Sequence, residues 1–278
     1  MKKIFLIFTI CLAAVYLVFS YDLWSDQNSF KIFFFDVGQG DSALIVTPAG
    51  KTILIDGGPD QKVLRELGLA LPFWKRHIDL VVISHAHDDH IGGLIEVIRR
   101  YGIGKILYNN LNFKTPMLEA LKEEIQEKNI KMITAEAGLS FSFSNDCSFN
   151  ILKASKEPAI TENDYSIVSD FYCLNKRVLL TGDAGVMIEK ELLADVINLK
   201  ADIIKISHHG STSASSENFL KAVNPILAVI SVGGGNKFNH PSALILDRLR
   251  KMGVNIYRTD KVGTIEIFAN NKSIKIVN

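Results

Sequence analysis

The stretch Ser84-His85-Ala86-His87-Asp88-Asp89-His90 carries the strongest chemical signal in the chain. It follows an apolar run at residues 79–83, which predicts a buried strand, and it precedes a predicted helix at residues 92–101. In an extended His-x-His the two rings project to one side and can bind one ion, while the turn into the helix presents Asp89 and His90 to a second ion. A helix N-cap would explain one aspartate but not three histidines. The stretch therefore predicts a metal site at the end of a strand.

Short β-rich runs alternate with helical stretches through the rest of the chain. Residues 31–35, 43–46 and 52–55 predict three strands joined by short turns, which favours antiparallel neighbours. A second β-rich group at residues 141–181 is followed by predicted helices at 184–199, 216–223 and 241–252, the last with proline at its first position. Because no linker rich in Gly, Ser or Pro interrupts the chain, we predict one α/β domain at residues 25–278.

The first 24 residues differ in character from the rest. Lys2 and Lys3 precede 16 uncharged residues, 4–19, of which only Thr9 is polar. This pattern predicts a signal peptide, with cleavage after Ser20, or a membrane anchor that is retained; a buried N-terminal helix is the third alternative. Both main alternatives predict an exported protein, secreted or membrane-anchored, whose domain acts outside the cytoplasm. An uncleaved segment would make the membrane a partner.

Composition limits the class of protein. The 278 residues are 47% hydrophobic and 22% charged, with a formal net charge of +1, which excludes a disordered chain and a uniformly basic nucleic-acid binder. The charge is nevertheless uneven, since residues 200–278 contain 11 Lys and Arg against 5 Asp and Glu. Outside the leader only Cys147 and Cys173 remain, and they predict either one disulfide or two buried thiols.

Five further motifs accompany the histidine cluster in order along the chain. They are Phe35-Asp36-Val37-Gly38-Gln39-Gly40-Asp41-Ser42, Leu54-Ile55-Asp56-Gly57-Gly58, Leu180-Thr181-Gly182-Asp183, Lys205-Ile206-Ser207-His208-His209-Gly210-Ser211 and Asn239-His240-Pro241. With these motifs the sequence resembles the metallo-β-lactamase superfamily and, within it, the hydrolase domain of ComEC-type DNA-internalisation competence proteins. The resemblance implies a four-layer αββα sandwich, a metal site at one edge, and a metal-dependent nuclease activity linked to DNA uptake.

The resemblance also implies a ligand set for two divalent metal ions. His85 and His87 match the first site, Asp89 and His90 match the second, and Asp183 matches the carboxylate that bridges them. His208 or His209 supplies a further ligand, and we favour His208 because it comes first after the strand. Many relatives carry another first-site histidine, but residues 91–207 contain none, and the segment at Asn163 offers only oxygen and amide groups. Such a site suits Mn²⁺ as well as Zn²⁺.

Other residues of the motifs are candidates for catalysis or substrate binding. Asp41, Asp89 and His240 are the candidate catalytic residues, although His240 is also a plausible plain N-cap. Candidate substrate-binding residues are His209, Ser211, Asn163 and His240. Asp56 is suited to orient a ligand histidine through its free ring N–H.

Hydrolysis of a phosphodiester, with DNA as the preferred substrate, is the first hypothesis, since the basic segment contains His208 and His240. An extracellular phosphoesterase acting on wall-polymer phosphocholine, or a lactam hydrolase, is the alternative enzyme. The non-enzymatic alternative is a metal-binding module that has lost turnover.

Overall fold

The computed structural model describes residues 2–24, 28–109, 112–155, 161–195 and 198–277. Residues 25–27, at the predicted boundary between leader and domain, lie outside the described residues. The helices are α1 (Lys2–Trp24), α2 (Lys62–Ala70), α3 (Asp88–Arg100), α4 (Pro116–Glu127), α5 (Val186–Ala194), α6 (Glu217–Val223), α7 (Ala243–Lys251) and α8 (Thr259–Val262). In the described ranges no helix combines the length and hydropathy needed to cross a bilayer.

Seventeen strands run through the described parts of the domain. In chain order they are β1 (Ser29–Phe34), β2 (Ala43–Val46), β3 (Thr52–Ile55), β4 (His77–Ile78), β5 (Leu80–Ile83), β6 (Gly102–Ile103), β7 (Ile106–Tyr108), β8 (Met132–Thr134), β9 (Ser140–Ser144), β10 (Cys147–Lys153), β11 (Val168–Cys173), β12 (Lys176–Leu180), β13 (Ile203–Lys205), β14 (Leu227–Ile230), β15 (Asn255–Arg258), β16 (Ile265–Asn270) and β17 (Ile274–Val277). They form an eight-stranded sheet, β17-β16-β1-β2-β3-β5-β7-β8, a seven-stranded sheet, β15-β14-β13-β12-β11-β10-β9, and the small pair β4-β6.

The two large sheets pack face to face with helices on their outer sides. One apolar cluster lies between the sheets, where Phe30 of β1 meets Phe171 of β11 edge to face at 5.2 Å. A second cluster joins the first sheet to α3 and α4, and a third joins the second sheet to α5, α6 and α7. All four residues of β5 are buried because helices cover one face and the other sheet covers the other. The predicted four-layer αββα sandwich is confirmed.

Strand direction brings the motifs to one edge. The first three strands are antiparallel, as predicted, whereas β3, β5, β7 and β8 are parallel to one another. In the second sheet β12, β13, β14 and β15 are also parallel. Because carboxyl ends of parallel strands share an edge, the loops after β5, β12 and β13 meet there. The Ile167 amide links the two sheets at this edge by donating to the carbonyl of Ser84 at 2.9 Å.

Cys147 and Cys173 lie opposite each other on β10 and β11 and form a disulfide. The sequence was compatible with either one disulfide or two free thiols. The structure shows the disulfide, which ties two neighbouring strands of the second sheet.

Candidate metal centre

The junction between β5 and α3 carries the histidine cluster. Helix α3 begins at Asp88, four residues before the predicted start, so that Asp89 and His90 lie in its first turn while His87 occupies the N-cap position in extended conformation. His85 and His90 are almost completely buried, and their ring centroids lie 4.2 Å apart. The His87 ring packs on the same side of the chain, 4.6 Å from that of His85. The predicted single-sided arrangement of His85 and His87 is therefore present.

Asp183 joins this cluster from the second sheet. It lies in the turn after β12, is 2% exposed, and its amide donates to Ser166 Oγ at 3.0 Å. Its Oδ2 lies 3.5 Å from His90 Nε2 and 4.0 Å from His85 Nε2. These three side chains can converge on one ion, as expected for a carboxylate that faces both halves of the site.

The turn after β13 reverses the expected roles of the two adjacent histidines. His209 Nε2 lies 3.4 Å from Asp89 Oδ2 and 3.5 Å from Asp183 Oδ2, and its Nδ1 lies 3.0 Å from the carbonyl oxygen of Ser231. His208 Nε2 is 4.0 Å from Asp183, and its Nδ1 lies 2.9 Å from Ser213 Oγ. Among the described residues His209, but not His208, belongs to groups that could hold an ion. The geometry thus favours His209, where the sequence favoured His208.

Backbone conformation explains that difference. His208 and His209 both have positive φ, 50° and 53°, so the chain is not extended there and strand alternation does not apply. His209 is consequently turned into the buried site, whereas His208 is part-exposed at its mouth.

A short 3₁₀ turn, Glu162–Tyr165, covers the side of the site where the sequence lacks a histidine. Glu162 Oε2 lies 2.7 Å from His87 Nε2, and Asn163 Nδ2 lies 3.4 Å from the His208 ring nitrogens. Sequence reasoning identified Asn163 but missed Glu162, although Glu162 directly precedes the segment that was predicted to offer oxygen groups. His87 thus faces a carboxylate rather than a third imidazole.

Unpaired buried atoms indicate that this cluster suits a cation. Six of the seven buried side-chain nitrogen or oxygen atoms that lack a hydrogen-bond partner in the described structure belong to it: Asp41 Oδ1, His85 Nε2, His90 Nε2, Asn163 Oδ1, Asp183 Oδ1 and His209 Nε2. Buried polar atoms are normally satisfied, so such a concentration indicates a missing common partner. Imidazole nitrogens and carboxylate oxygens are ligands for Zn²⁺ and Mn²⁺. The residues therefore fit divalent metal ions.

Supporting contacts orient these candidate ligands. Asp56 Oδ2 lies 2.8 Å from His90 Nδ1 and accepts from Ser84 Oγ at 2.6 Å. This contact fixes the ring so that Nε2 faces Asp183, and it is the orienting role predicted for Asp56. Gly40 allows the motif before β2 to reach the site, because a Cβ there would lie 2.1 Å from the carbonyl oxygen of Asp89.

Lys205 begins one of the motifs quoted from the sequence, but sequence reasoning gave it no role in the site. It ends β13, is 4% exposed, and forms an ion pair with Asp41. Its Nζ donates to the carbonyl of Gly182 at 3.1 Å and lies 3.7 Å from Asp183 Oδ1. Asp41 also lies 3.4 Å from His209 Nδ1, so this predicted catalytic residue is buried beneath the candidate ligands. The available signal was a charged residue within the apolar run Ile203-Ile204-Lys205-Ile206.

The electrostatics of the site follow from burial and these contacts. Burial lowers the pKa of His85 well below its ordinary value, and nearby His90 adds to that effect. Burial also disfavours charge on His90, but Asp183 and Asp56 outweigh it and raise the pKa of His90 well above its usual range. Burial opposes charge on His209 too, yet carboxylates led by Asp183 raise its pKa to about 9. Without metal, the buried carboxylates are therefore balanced partly by protonated histidines.

The remaining predicted residues lie around the mouth of the site. The His240 ring lies 5.9 Å from that of His208, and the peptide bond from His240 to Pro241 is cis. Helix α7 begins at Ala243 with Ser242 as its N-cap, so the predicted start at Pro241 is wrong, and His240 does not cap the helix. Ser211 is nearly buried, with its Oγ 3.0 Å from Ser213 Oγ. Phe238 stacks on His240 at 5.8 Å and is 53% exposed.

Comparison with known proteins identifies the family of this arrangement. The family model described as "Metallo-beta-lactamase superfamily" matches residues 35–234. The chain belongs to the metallo-beta-lactamase superfamily. Among superfamily structures, the metallo-beta-lactamase fold protein YhfI from Bacillus subtilis has a TM-score of 0.53 and 13% identity, and the match covers 88% of this chain and 99% of that one. This likeness supports the fold.

Curated superfamily relatives confirm the predicted resemblance to competence proteins. ComE operon protein 3 of Bacillus subtilis (strain 168) is 26% identical over 280 residues, which cover 95% of this chain and 36% of that protein. Competence protein ComA of Neisseria gonorrhoeae is 28% identical over 254 residues, which cover 90% of this chain and 34% of that protein. The chain thus spans about a third of the length of these relatives. It is a metallo-beta-lactamase fold hydrolase with residues that could hold the divalent metal ions typical of this fold.

Proposed function

We propose that the chain is a metal-dependent phosphodiesterase that cleaves DNA. His85 and Asp183 would hold one divalent ion, joined by His87 once its ring turns from Glu162, and Asp89, His90 and His209 would hold a second, which Asp183 also approaches. When bound, such ions lower the pKa of water and offset the negative charge of a phosphate. Zn²⁺ and Mn²⁺ both suit this mixed set of nitrogen and oxygen donors.

The chain's own residues prepare the site for this chemistry. Asp56 holds the His90 ring in one orientation, and Lys205 offsets the buried charge of Asp41 and Asp183. The part-exposed imidazoles of His208 and His240 stand at the mouth, where they can donate hydrogen bonds to phosphate oxygens. We propose the same binding role for Asn163 and Ser211, which line the approach to His208.

The choice of nucleic acid rests on the rim formed by Lys237, Phe238 and His240. Phe238 is half exposed, stacks on His240, and has Lys237 Nζ 5.2 Å from its ring centroid. An exposed aromatic face beside basic groups is typical of sites that stack a base and bind its phosphate. The surplus of basic residues in 200–278 favours a polyanion at the same edge. A lactam would not require this stacking face, and Lys237 over the ring would repel the quaternary ammonium of a phosphocholine.

We further propose that residues 1–24 direct export and that the domain acts outside the cytoplasm. The leader pattern, two lysines followed by an uncharged apolar segment, supports this location. The Cys147–Cys173 disulfide supports it independently, because disulfides persist mainly in oxidising compartments. The two competence relatives support a role in DNA uptake, although they are about three times longer than this chain.

The test measures cleavage of single-stranded DNA and of a small chromogenic phosphodiester by the full chain. Protein stripped with a chelator should be inactive and should recover on adding Zn²⁺ or Mn²⁺, and Asp183→Asn should abolish both activities. Phe238→Ala should lower DNA cleavage about tenfold while sparing the small substrate, since one base–aromatic stack contributes about 1–3 kcal/mol. Phe73→Ala, at another exposed phenylalanine outside the rim, is the control.

Metal analysis of the purified protein decides between zinc and manganese. Metal-loaded protein that cleaves neither substrate would refute the enzymatic proposal and favour a metal-binding module. Equal losses on both substrates in Phe238→Ala would refute the assignment of DNA.

A further inference from the structure

A second exposed surface lies at the end of α2, before β5. Leu69, Phe73 and Trp74 form an apolar ridge there, with exposed fractions of 70%, 68% and 36%. Phe73 and Trp74 meet edge to face at 4.9 Å. Helix α2 ends at Ala70 and Pro72 follows, so the chain turns outward and carries both aromatic rings away from the core. Exposed contiguous aromatic and aliphatic groups of this kind usually mark a contact surface.

The ridge is held by the fold. The Lys75 amide donates to the carbonyl of Pro72 at 2.8 Å, and Lys75 Nζ donates to the carbonyl of Gly50 at 3.0 Å. Arg76 Nε donates to the carbonyl of Phe73 at 3.1 Å and the guanidinium packs over the Tyr101 ring. The apolar side chains therefore project from an anchored turn.

Two basic residues directly follow the ridge. Lys75 and Arg76 come after Trp74 in the chain, and the exposed Arg76 donates from its Nε to the carbonyl of Phe73 within the ridge. Basic groups beside exposed aromatic rings match the negative headgroups and apolar boundary of an anionic bilayer.

The ridge is continuous with the apolar N-terminal helix. A cavity of about 480 Å³ beside it is lined by Tyr16 of α1, Lys31 of β1, and Phe73 and Trp74. In its described part α1 exposes eight large apolar side chains, Phe5, Leu6, Ile7, Phe8, Ile10, Leu12, Val15 and Tyr16. Two apolar surfaces thus share one side of the molecule, and their combined extent suits a lipid surface better than a compact protein partner.

We propose that Leu69, Phe73 and Trp74 dock the folded domain on an anionic membrane, inserting into its headgroup region. The ridge lies before the amino end of β5, whereas the metal ligands follow its carboxyl end. Docking therefore presents the ridge to lipid and leaves the mouth of the metal centre facing away, open to a polymeric substrate.

Trp74 provides a direct test, because the chain contains only one other tryptophan, Trp24. In full-length Trp24→Phe protein, Trp74 emission should shift to the blue on adding vesicles of phosphatidylcholine and phosphatidylglycerol, and shallowly brominated lipids should quench it. Adding Leu69→Ser and Phe73→Ser should remove the quenching and lower the partition coefficient about tenfold or more, because less apolar surface is buried. The matched control adds Ile226→Ser and Leu244→Ser, two exposed apolar residues elsewhere, and should retain both signals.

Vesicle-bound protein whose Trp74 is not quenched would overturn the proposal, because α1 alone would then account for binding. A blue shift that depends on protein concentration without lipid would also overturn it, in favour of a second copy of the chain. Neither readout depends on hydrolysis.

Discussion

Replacing Lys205 with methionine tests how the buried charges of the metal centre are balanced. The ammonium is nearly inaccessible and contacts Asp41, the carbonyl oxygen of Gly182 and Asp183. Burial lowers the pKa of Lys205, but the two carboxylates outweigh it and raise that pKa, so the group is charged at neutral pH. Methionine keeps the length of the side chain but leaves two buried carboxylates without their cation.

The expected loss is large in the metal-free protein. Breaking a buried ion pair by removing one partner costs about 3–5 kcal/mol. For a domain of this size about 1 kcal/mol shifts the melting temperature by about 2–4 °C, so Lys205→Met should melt about 6–20 °C lower. A bound divalent cation replaces part of the missing positive charge, so saturation with Zn²⁺ or Mn²⁺ should recover part of this loss.

The assay is thermal unfolding of the full chain at neutral pH, followed by circular dichroism with chelator and after metal reloading. Lys200→Met, at an exposed lysine, is the matched control and should change little. Adding Asp41→Asn to Lys205→Met should restore stability, because it removes an uncompensated buried charge. The reasoning fails if Lys205→Met melts like Lys200→Met, or if the second substitution lowers stability further.

Three further predictions concern pH, packing and the disulfide. The pKa of His209 is about 9 in the fold against about 6.5 when unfolded, so its contribution to metal-free stability, about 3 kcal/mol, is complete below pH 6.5 and lost as pH rises through 9. Urea midpoints should decline across this window, and His209→Gln should make the decline shallower but not remove it, because the raised pKa of His90 acts in the same direction. Gly40→Ala should lower the free energy of unfolding by several kcal/mol and weaken metal binding in calorimetry, because Gly40 has a φ of 136° and a Cβ there would lie 2.1 Å from a backbone oxygen. Gly234→Ala, at a glycine with open space around it, should have neither effect. Replacing Cys147 and Cys173 with serine should cost about 3 kcal/mol in guanidinium unfolding, given the 26-residue separation, and equal stability of the oxidised and serine forms would contradict the loop-closure argument.

Much of the fold followed from local patterns. The apolar run at residues 79–83 predicted a strand covered on both faces, and the short turns after residues 35 and 46 predicted the antiparallel start of the first sheet. Such features depend on periodicity and turn length, which are visible in sequence. The resemblance supplied the layer order and gathered candidate ligands that lie far apart in the chain.

What sequence could not supply depends on backbone conformation at loops. The choice between His208 and His209 assumed an extended chain, whereas two consecutive left-handed residues turn the second ring inward. Helix α7 was expected to begin at Pro241, but it begins at Ala243 with Ser242 as its N-cap. Neither conformation has a local signature as strong as hydrophobic periodicity, and both occur beside the site.

The buried charges of the metal centre are balanced by one lysine and two histidines. Asp41 and Asp183 are buried close to Lys205, and the pKa values of His90 and His209 are raised by surrounding carboxylates. In the metal-free protein, protons on the two imidazoles therefore supply positive charge that a divalent ion would otherwise supply. Metal uptake must displace those protons, whereas the lysine, which has no free electron pair while charged, stays in place. Lys205 thus stabilises the carboxylates in both states, and the histidines alone exchange proton for metal.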